Sequence, residues 1–129
     1  MSGRFLLDSN IIIALFAQEQ TVMEAARQAE EVFIPAIALG ELYCGAQKSS
    51  RRQLNIARID SLADANVILG CDYETARYYG EIKNKLKEKG RPVPENDMWI
   101  AACARQYNLT LVTRDKHFYE IDALSLAAW

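Results

Sequence analysis

The sequence is poor in cysteine, and its three cysteines form no recognisable pairing pattern. They are an odd number without CxxC spacing. Cys44 and Cys103 lie in apolar, helix-like runs, so we expect buried, reduced thiols, which fit a reducing cytosol. A chain of 129 residues buries a substantial core, so folding requires neither disulfides nor a structural metal.

Long apolar segments are also absent. The longest apolar run near the N-terminus, residues 11–17, is far shorter than the roughly 20 residues of a membrane span. Asp8 interrupts the apolar stretch that a signal peptide would need, and no cleavage signal follows it. These absences predict a cytoplasmic protein that does not enter a membrane.

Neither sign of charge dominates the chain. Its 15 basic and 17 acidic residues give a net charge of −2. This balance argues against a uniformly basic nucleic-acid-binding protein. It remains compatible with nucleic-acid binding if acidic side chains gather at one site, where a bound cation offsets part of their charge.

What the sequence does contain is a regular alternation of strand-like and helix-like patterns. The alternation predicts one three-layer α/β/α domain over residues 1–129, with a central, mostly parallel sheet of four or five strands. The predicted strands span residues 5–7, 32–34, 67–69, 109–113 and 124–126. The predicted helices span residues 11–16, 19–31, 36–47, 51–63, 74–89 and 97–107. Predicted helix caps are Ser9 or Asn10, Ser49 or Ser50, and Asn96.

Four acidic residues stand in otherwise apolar or turn-like stretches: Asp8, Glu41, Asp97 and Asp115. Burying a carboxylate is costly unless a cation or strong hydrogen bonds compensate it. Taken singly, three of them have ordinary explanations, because Asp8 can cap a helix, Asp97 can begin one and Asp115 can lie in an exposed turn. Glu41 fits such an explanation least, because it interrupts the apolar run 37–44.

We expect the four acids to meet at one edge of the sheet. Ligands of an open parallel sheet bind outside the carboxyl ends of its strands, where the strand order reverses. Asp8 and Asp115 follow predicted strands, Asp97 begins a helix, and Glu41 lies in the helix that leaves the second strand. An oxygen-only cluster suits a hard ion such as Mg²⁺ or Mn²⁺. The combination points to metal-assisted hydrolysis of a phosphodiester bond.

Four segments of the chain resemble, in this order, the motifs of PIN domains, and specifically those of VapC-type toxin ribonucleases. The resemblance covers nearly the whole chain. A single aspartate after a strand is a weak signal, whereas four motifs at compatible spacing on an α/β pattern are specific. The segments are Leu6-Leu7-Asp8-Ser9-Asn10-Ile11, Leu39-Gly40-Glu41-Leu42-Tyr43-Cys44-Gly45-Ala46, Asn96-Asp97-Met98-Trp99-Ile100-Ala101-Ala102 and Leu111-Val112-Thr113-Arg114-Asp115-Lys116-His117-Phe118.

The resemblance implies a role for each acid. Asp8, Asp97 and Asp115 would hold Mg²⁺ or Mn²⁺. Glu41 would orient or deprotonate the attacking water, or share a second ion that forms only with substrate. The last acid varies in position among relatives, which makes Asp115 the least constant ligand. Supporting polar positions fall on Ser9, where many relatives have threonine, on Thr113, and on Asn96, which would act through water.

The same resemblance implies partners. They are an RNA substrate and a cognate antitoxin of the VapB type, with a homodimer that forms a heterotetramer or larger assembly with the antitoxin. Two other functions remain open: a housekeeping PIN nuclease that processes RNA without an antitoxin, and a non-catalytic PIN binding module. The intact acids disfavour the module, and the small size without an added RNA-binding domain favours the toxin.

Charged side chains outside the four acids have alternative interpretations. The basic runs at 83–91 and 51–58 are either solvated helix faces or patches for the RNA backbone. Arg114 either contacts phosphate or forms a structural salt bridge. His117, the only histidine, is expected to have a packing or surface role and not to act as an acid–base group.

Overall fold

The computed structural model describes residues 3–129, which form a five-stranded sheet, six α-helices and one short 3-10 helix. The strands are β1 (Arg4–Leu7), β2 (Glu31–Pro35), β3 (Val67–Leu69), β4 (Thr110–Val112) and β5 (Leu126–Ala127). The helices are α1 (Ser9–Phe16), α2 (Gln20–Gln28), α3 (Ala36–Lys48), α4 (Arg52–Ala65), α5 (Tyr73–Lys89) and α6 (Glu95–Gln106), and the 3-10 helix spans Lys116–Glu120. Within the described part of the chain, none of the helices has both the length and the apolar character needed to span a membrane.

The sheet is parallel throughout and has the strand order β3-β2-β1-β4-β5. From β1 the chain builds outward through β2 to β3, and then crosses back to place β4 on the other side of β1. The strand order therefore reverses between β1 and β4. Because such crossovers are right-handed, α1 to α4 lie on one face of the sheet and α5 and α6 on the other. The predicted α/β/α class is confirmed.

The core lies around the two central strands and α6. Leu6 on β1 and Leu111 on β4 are fully buried, and Ile100 on α6 is equally inaccessible. Each such side chain contributes roughly 1.5–3 kcal/mol by leaving water. Because α6 is apolar almost all round, it is buried along most of its length, as predicted, and this packing fixes the position of Asp97 in its first turn.

Two predicted helix caps near the acids are wrong by one or two residues. The cap of α1 is Asp8 itself, whose side chain accepts a hydrogen bond from the Ser9 backbone N–H, so Asn10 already lies inside the helix. Helix α6 follows Pro94, and Asn96 therefore lies in its first turn. In both cases the helix begins immediately after an extended residue that directs the chain away from the preceding segment.

The cap of α4 also differs from prediction, and a capping box begins α5. Neither Ser49 nor Ser50 caps α4; Ser49 instead ends α3, where its hydroxyl donates to the Ala46 carbonyl at 2.8 Å. At the start of α5, Ala76 is exposed. The buried position is Thr75, because its side chain and that of Asp72 form a capping box that begins α5.

Four more differences concern the ends of elements, one unpredicted helix and one side chain. Helix α2 ends at Gln28 and not at residue 31, because Glu31 opens β2 and pairs with Arg4 of β1. Strand β5 begins two residues and ends one residue later than predicted, and the 3-10 helix was not predicted. Cys103 is buried as expected, whereas Cys44 is exposed, so the expectation of a buried thiol is wrong for Cys44.

Candidate active site

Asp8 and Thr113 meet because each follows one of two adjacent parallel strands, β1 and β4. The Thr113 hydroxyl donates to Asp8 Oδ2 at 2.7 Å, and the Ser9 backbone N–H donates to Asp8 Oδ1 at 2.8 Å. Both side chains are buried. These two hydrogen bonds fix the orientation of the Asp8 carboxylate at the point where the strand order reverses.

Asn10 adds a bridge between the same two strand ends. Its Nδ2 atom lies 3.4 Å from Asp8 Oδ2 and 3.4 Å from Thr113 Oγ1, and its Oδ1 accepts from the Arg114 backbone N–H at 3.2 Å. The side chain thereby ties the start of α1 to the segment after β4. The sequence pattern predicts for Asn10 only the role of a helix cap. The sequence feature that indicates this bridging role is the position of Asn10 two residues after an aspartate that follows a strand.

Asp115 is linked to the same group through the backbone. Its N–H donates to Thr113 Oγ1 at 3.0 Å, so one hydroxyl contacts both the Asp8 side chain and the Asp115 segment. Asp115 also caps the 3-10 helix, because its Oδ1 accepts from the His117 backbone N–H at 3.0 Å. Its side chain is 33% exposed, which leaves a carboxylate open to solvent and to ligands.

His117 is turned back towards the acids by the 3-10 helix. Its Nδ1 atom lies 3.0 Å from Asp115 Oδ1 and 3.7 Å from Asp97 Oδ2. The imidazole is about half exposed, as a surface residue would be, but it sits between two carboxylates. The sequence did not reveal this position because the 3-10 helix that creates it has no strong sequence signal.

Asp97 is the most perturbed of the four acids. It lies in the first turn of α6 and is 7% exposed. Burial, followed by the negative charges of Asp8, Asp115 and Glu41, raises the pKa of its carboxyl group from 3.8 to about 6, while His117 opposes the rise. Thr113 links Asp8 to the Asp115 segment, His117 lies between Asp115 and Asp97, and the charge of Glu41 acts on Asp97, so the convergence expected from the sequence is present in the fold.

Burial also raises the pKa of the Asp8 and Glu41 carboxyl groups. For Asp8, burial outweighs the hydrogen bonds from Thr113 and Ser9, which act in the opposite direction. For Glu41 on α3, burial outweighs the polar side chains of Asn96 and Ser9, and the negative charge of Asp8 adds to the rise. Ser9 and Asn96, predicted as supporting polar residues, therefore lie beside Glu41.

The donor set fits a divalent cation. Glu41 Oε1 is buried and, among residues 3–129, has no hydrogen-bond partner. Ligand atoms of Asp97, Asp115 and His117 all lie within 4.8 Å of one another. A buried, unpaired carboxylate oxygen beside three more carboxylates is unfavourable unless positive charge compensates it. Oxygen donors in this arrangement are those that a hard divalent ion accepts.

The cations near the site are largely engaged in ion pairs. Arg114 pairs with Glu19 at 2.8 Å and donates to the Trp129 carbonyl at 3.2 Å, so it forms the structural salt bridge that was one of its two interpretations. The basic run at 83–91 is partly neutralised in the same way, through the pairs Lys83–Glu95, Lys89–Asp122 and Arg91–Glu120.

An apolar groove opens beside Glu41. It has a volume of about 410 Å³ and lies between α1, α3 and α4. Ile13, which is 56% exposed, and Phe16 supply part of the apolar lining from α1, and Arg58 of α4 lies over the Phe16 ring at 5.4 Å from its centre. Because Glu41 also lines it, the groove is continuous with the acidic cluster.

Comparisons with known proteins agree with this architecture. The family model of the PIN domain matches residues 5–124. The chain is 32% identical over 129 residues to a protein of Haemophilus influenzae named Ribonuclease VapC2, covering 98% of both chains. It matches the structure of VapBC2 from Rickettsia felis bound to a promoter DNA fragment, with a TM-score of 0.89, 30% identity and 98% coverage of both chains. It also matches VapBC-5 of Mycobacterium tuberculosis, described as a member of the VapBC family of toxin–antitoxin systems, with a TM-score of 0.78, 30% identity and coverage of 98% and 97%. The chain belongs to the PIN domain family and, within it, to the VapC group.

Proposed function

We propose that this chain is a divalent-metal-dependent endoribonuclease that hydrolyses RNA phosphodiester bonds as the toxin of a type II toxin–antitoxin pair. The observation that carries the proposal is the gathering of Asp8, Glu41, Asp97 and Asp115 at the switch point of the sheet. Three of these carboxyl groups have raised pKa values, which is typical of functional sites. In this proposal, residues 1–129 form a single nuclease domain that works in the cytoplasm.

Asp8, Asp97 and Asp115 hold the ion in this proposal, with Mg²⁺ or Mn²⁺ as the candidates. The ion, when bound, polarises a phosphate oxygen and makes a bound water more acidic. Thr113 and Asn10 keep the Asp8 carboxylate in place, so that little side-chain freedom is lost when the site is occupied.

Glu41 is the candidate for orienting or deprotonating the attacking water. Its Oε1 atom is buried and has no hydrogen-bond partner in the described part of the chain, and burial raises the pKa of the carboxyl group, which makes the carboxylate a stronger base. Asn96 and Ser9 lie beside it and lower the pKa of its carboxyl group, against the effect of burial. An ion shared with Glu41 in the presence of RNA is the alternative role for the same residue.

The groove beside Glu41 is the surface on which we place the antitoxin. Its apolar lining suits an amphipathic segment that becomes ordered on binding, and its continuity with the acids lets that segment bring a basic side chain to them. The ion pair between an arginine and two carboxylate oxygens is strong and has a specific geometry. Such a partner would block the metal or the substrate phosphate, and with a homodimeric toxin it would form a heterotetramer or larger assembly.

The decisive experiment is the mapping of cleavage ends in total RNA incubated with purified protein, in Mg²⁺ and in EDTA. We expect cleavage by the parent protein in Mg²⁺ only, and none by Asp8→Ala. Asp64→Asn is the matched control, because it removes one acidic charge from an exposed position of α4 and should leave cleavage unchanged. Cleavage by Asp8→Ala equal to that of the parent would remove the proposed site.

Co-expression with the product of the adjacent small gene distinguishes the toxin hypothesis from that of a housekeeping nuclease. We expect the purified complex to be inactive even in excess Mg²⁺, and the free chain to be active. If that product binds no more tightly than an unrelated basic peptide, a nuclease without an antitoxin becomes the better description. If neither form cleaves any RNA under these conditions, the non-catalytic binding module becomes the better description.

A further inference from the structure

His117 lies beside the acids, although a metal site built from carboxylates alone would not need a histidine there. Its Nδ1 atom lies 3.0 Å from one carboxylate oxygen, of Asp115, and 3.7 Å from another, of Asp97. The backbone N–H of His117 is already bonded to Asp115 Oδ1, which closes the 3-10 turn and directs the imidazole inward. The ring is half exposed, so Nδ1 is reachable from solvent.

These distances are those of ligands that share one ion. Ligand atoms that lie about 2.1 Å from an octahedral ion are about 3.0 Å apart when adjacent and about 4.2 Å apart when opposite. The separation of 3.0 Å equals that of adjacent ligands, the separation of 3.7 Å lies between the adjacent and the opposite value, and all three ligand atoms lie within 4.8 Å of one another. A hydrogen bond from Nδ1 to Asp115 would also be 3.0 Å long, whereas the distance to Asp97 is too long for one and is left unexplained by it.

We propose that His117 is a direct nitrogen ligand of the ion through Nδ1, alongside Asp97 and Asp115, and that it makes the centre prefer a first-row transition ion over Mg²⁺. The inference rests on the proposed function only in placing an ion at this site. Mg²⁺ favours oxygen donors and keeps several of its waters, whereas imidazole is a good ligand for transition ions. One nitrogen among oxygen donors therefore shifts selectivity without removing the ability to bind Mg²⁺.

The test measures Mn²⁺ and Mg²⁺ binding by titration calorimetry on metal-free full-length protein. Mn²⁺ is a stringent probe, because it is the weakest binder of the first-row series. We expect the parent to bind Mn²⁺ at least about tenfold more tightly than Mg²⁺. In His117→Ala the affinity for Mn²⁺ should fall at least about tenfold, and that for Mg²⁺ by less than about threefold.

Two further variants make the comparison specific. His117→Asn places an amide oxygen near the position of Nδ1, so it should keep Mg²⁺ binding while the preference for Mn²⁺ disappears. Tyr119→Ala is the matched control, because Tyr119 lies in the same 3-10 helix, is 71% exposed and is absent from the acid cluster. It should retain both affinities. Thermal melts in EDTA check that the variants are folded.

A spectroscopic readout distinguishes a ligand from a hydrogen-bond partner. Electron spin-echo modulation of the Mn²⁺-loaded parent should show coupling to a directly bound imidazole nitrogen, which His117→Asn should lack and Tyr119→Ala should keep. The inference would be overturned if the parent lacked this coupling, or if His117→Ala lowered the affinities for Mn²⁺ and Mg²⁺ equally. In either case His117 would be a hydrogen-bond partner of Asp115 alone. Failure of the parent to bind either ion would instead count against the proposed nuclease.

Discussion

Replacing Asp97 by asparagine should stabilise the metal-free protein at neutral pH, although Asp97 is one of the proposed ligands. The pKa of its carboxyl group rises from 3.8 to about 6 on folding, chiefly through burial and the three neighbouring acids. At about 1.4 kcal/mol for each pH unit, this rise costs the folded state about 3 kcal/mol once the group is ionised in both states. Asparagine has nearly the same shape and carries no charge.

The pH dependence gives the sign of the effect. Below pH 3.8 the carboxyl group is protonated in both states and contributes nothing. Between about pH 4 and pH 6 the unfolded chain releases its proton before the folded protein does, so stability falls as pH rises. Above about pH 6 the cost is constant. In Asp97→Asn the contribution of Asp97 to this fall should be absent, so stability should fall less with pH than in the parent, and at pH 7.5 the variant should melt about 10 °C above the parent.

Differential scanning calorimetry in EDTA at pH 4 and pH 7.5, repeated with saturating Mn²⁺, checks the prediction. An ion at about 100 times its dissociation constant adds about 2.7 kcal/mol to the parent and little to the variant, so it should close most of the gap between them. Asp64→Asn, which loses an exposed charge on α4, serves as the control. If Asp97→Asn melts no higher than this control in EDTA at pH 7.5, the ionised Asp97 carboxylate does not destabilise the folded protein, and the reasoning from its raised pKa is wrong.

Three further predictions concern activity, stability and assembly. Glu41→Gln should lower RNA cleavage about 10²–10⁴-fold in a single-turnover assay while circular dichroism shows an unchanged fold, and retained activity would exclude Glu41 as the base. Thr113→Val, which removes the hydroxyl between Asp8 Oδ2 and the Asp115 N–H, should cost about 1–3 kcal/mol in urea unfolding, whereas Thr110→Val, whose hydroxyl meets only Ser125, should cost less than about 1 kcal/mol. Light scattering at micromolar concentration should give twice the chain mass of 14.6 kDa, because the resemblance of the sequence to VapC-type toxins implies a homodimer; a monomeric mass would contradict this.

The meeting of the four acids could be predicted because it follows from topology more than from side-chain detail. Asp8 and Thr113 come directly after β1 and β4, and adjacent parallel strands end at the same edge of the sheet. The burial of Asp97 follows from α6 being apolar on nearly every side. The catalytic roles of these residues remain predictions, because their arrangement leaves more than one role open to each.

The surroundings of the acids could not be predicted because they depend on contacts distant in sequence. Asn10 looked like a helix cap, and its contact with Thr113 spans 103 residues. The position of His117 depends on a 3-10 helix whose start is fixed by the Asp115 side chain. The ion pairs that occupy Arg114 and Lys89 likewise join residues far apart in the chain. Local patterns contain no information about such partners.

The acidic site is unfavourable to the fold when no cation compensates it, and this has a consequence for regulation. Raised carboxyl pKa values and an unpaired buried oxygen on Glu41 mean that any well-placed positive charge lowers the free energy of the folded protein. A metal ion and a basic side chain of a partner compete for the same stabilisation. Since the groove that leads to Glu41 is apolar, a partner gains from burial of its apolar side chains as well as from charge, whereas the ion gains from charge alone. A partner that uses both should therefore displace the ion even when the ion is abundant.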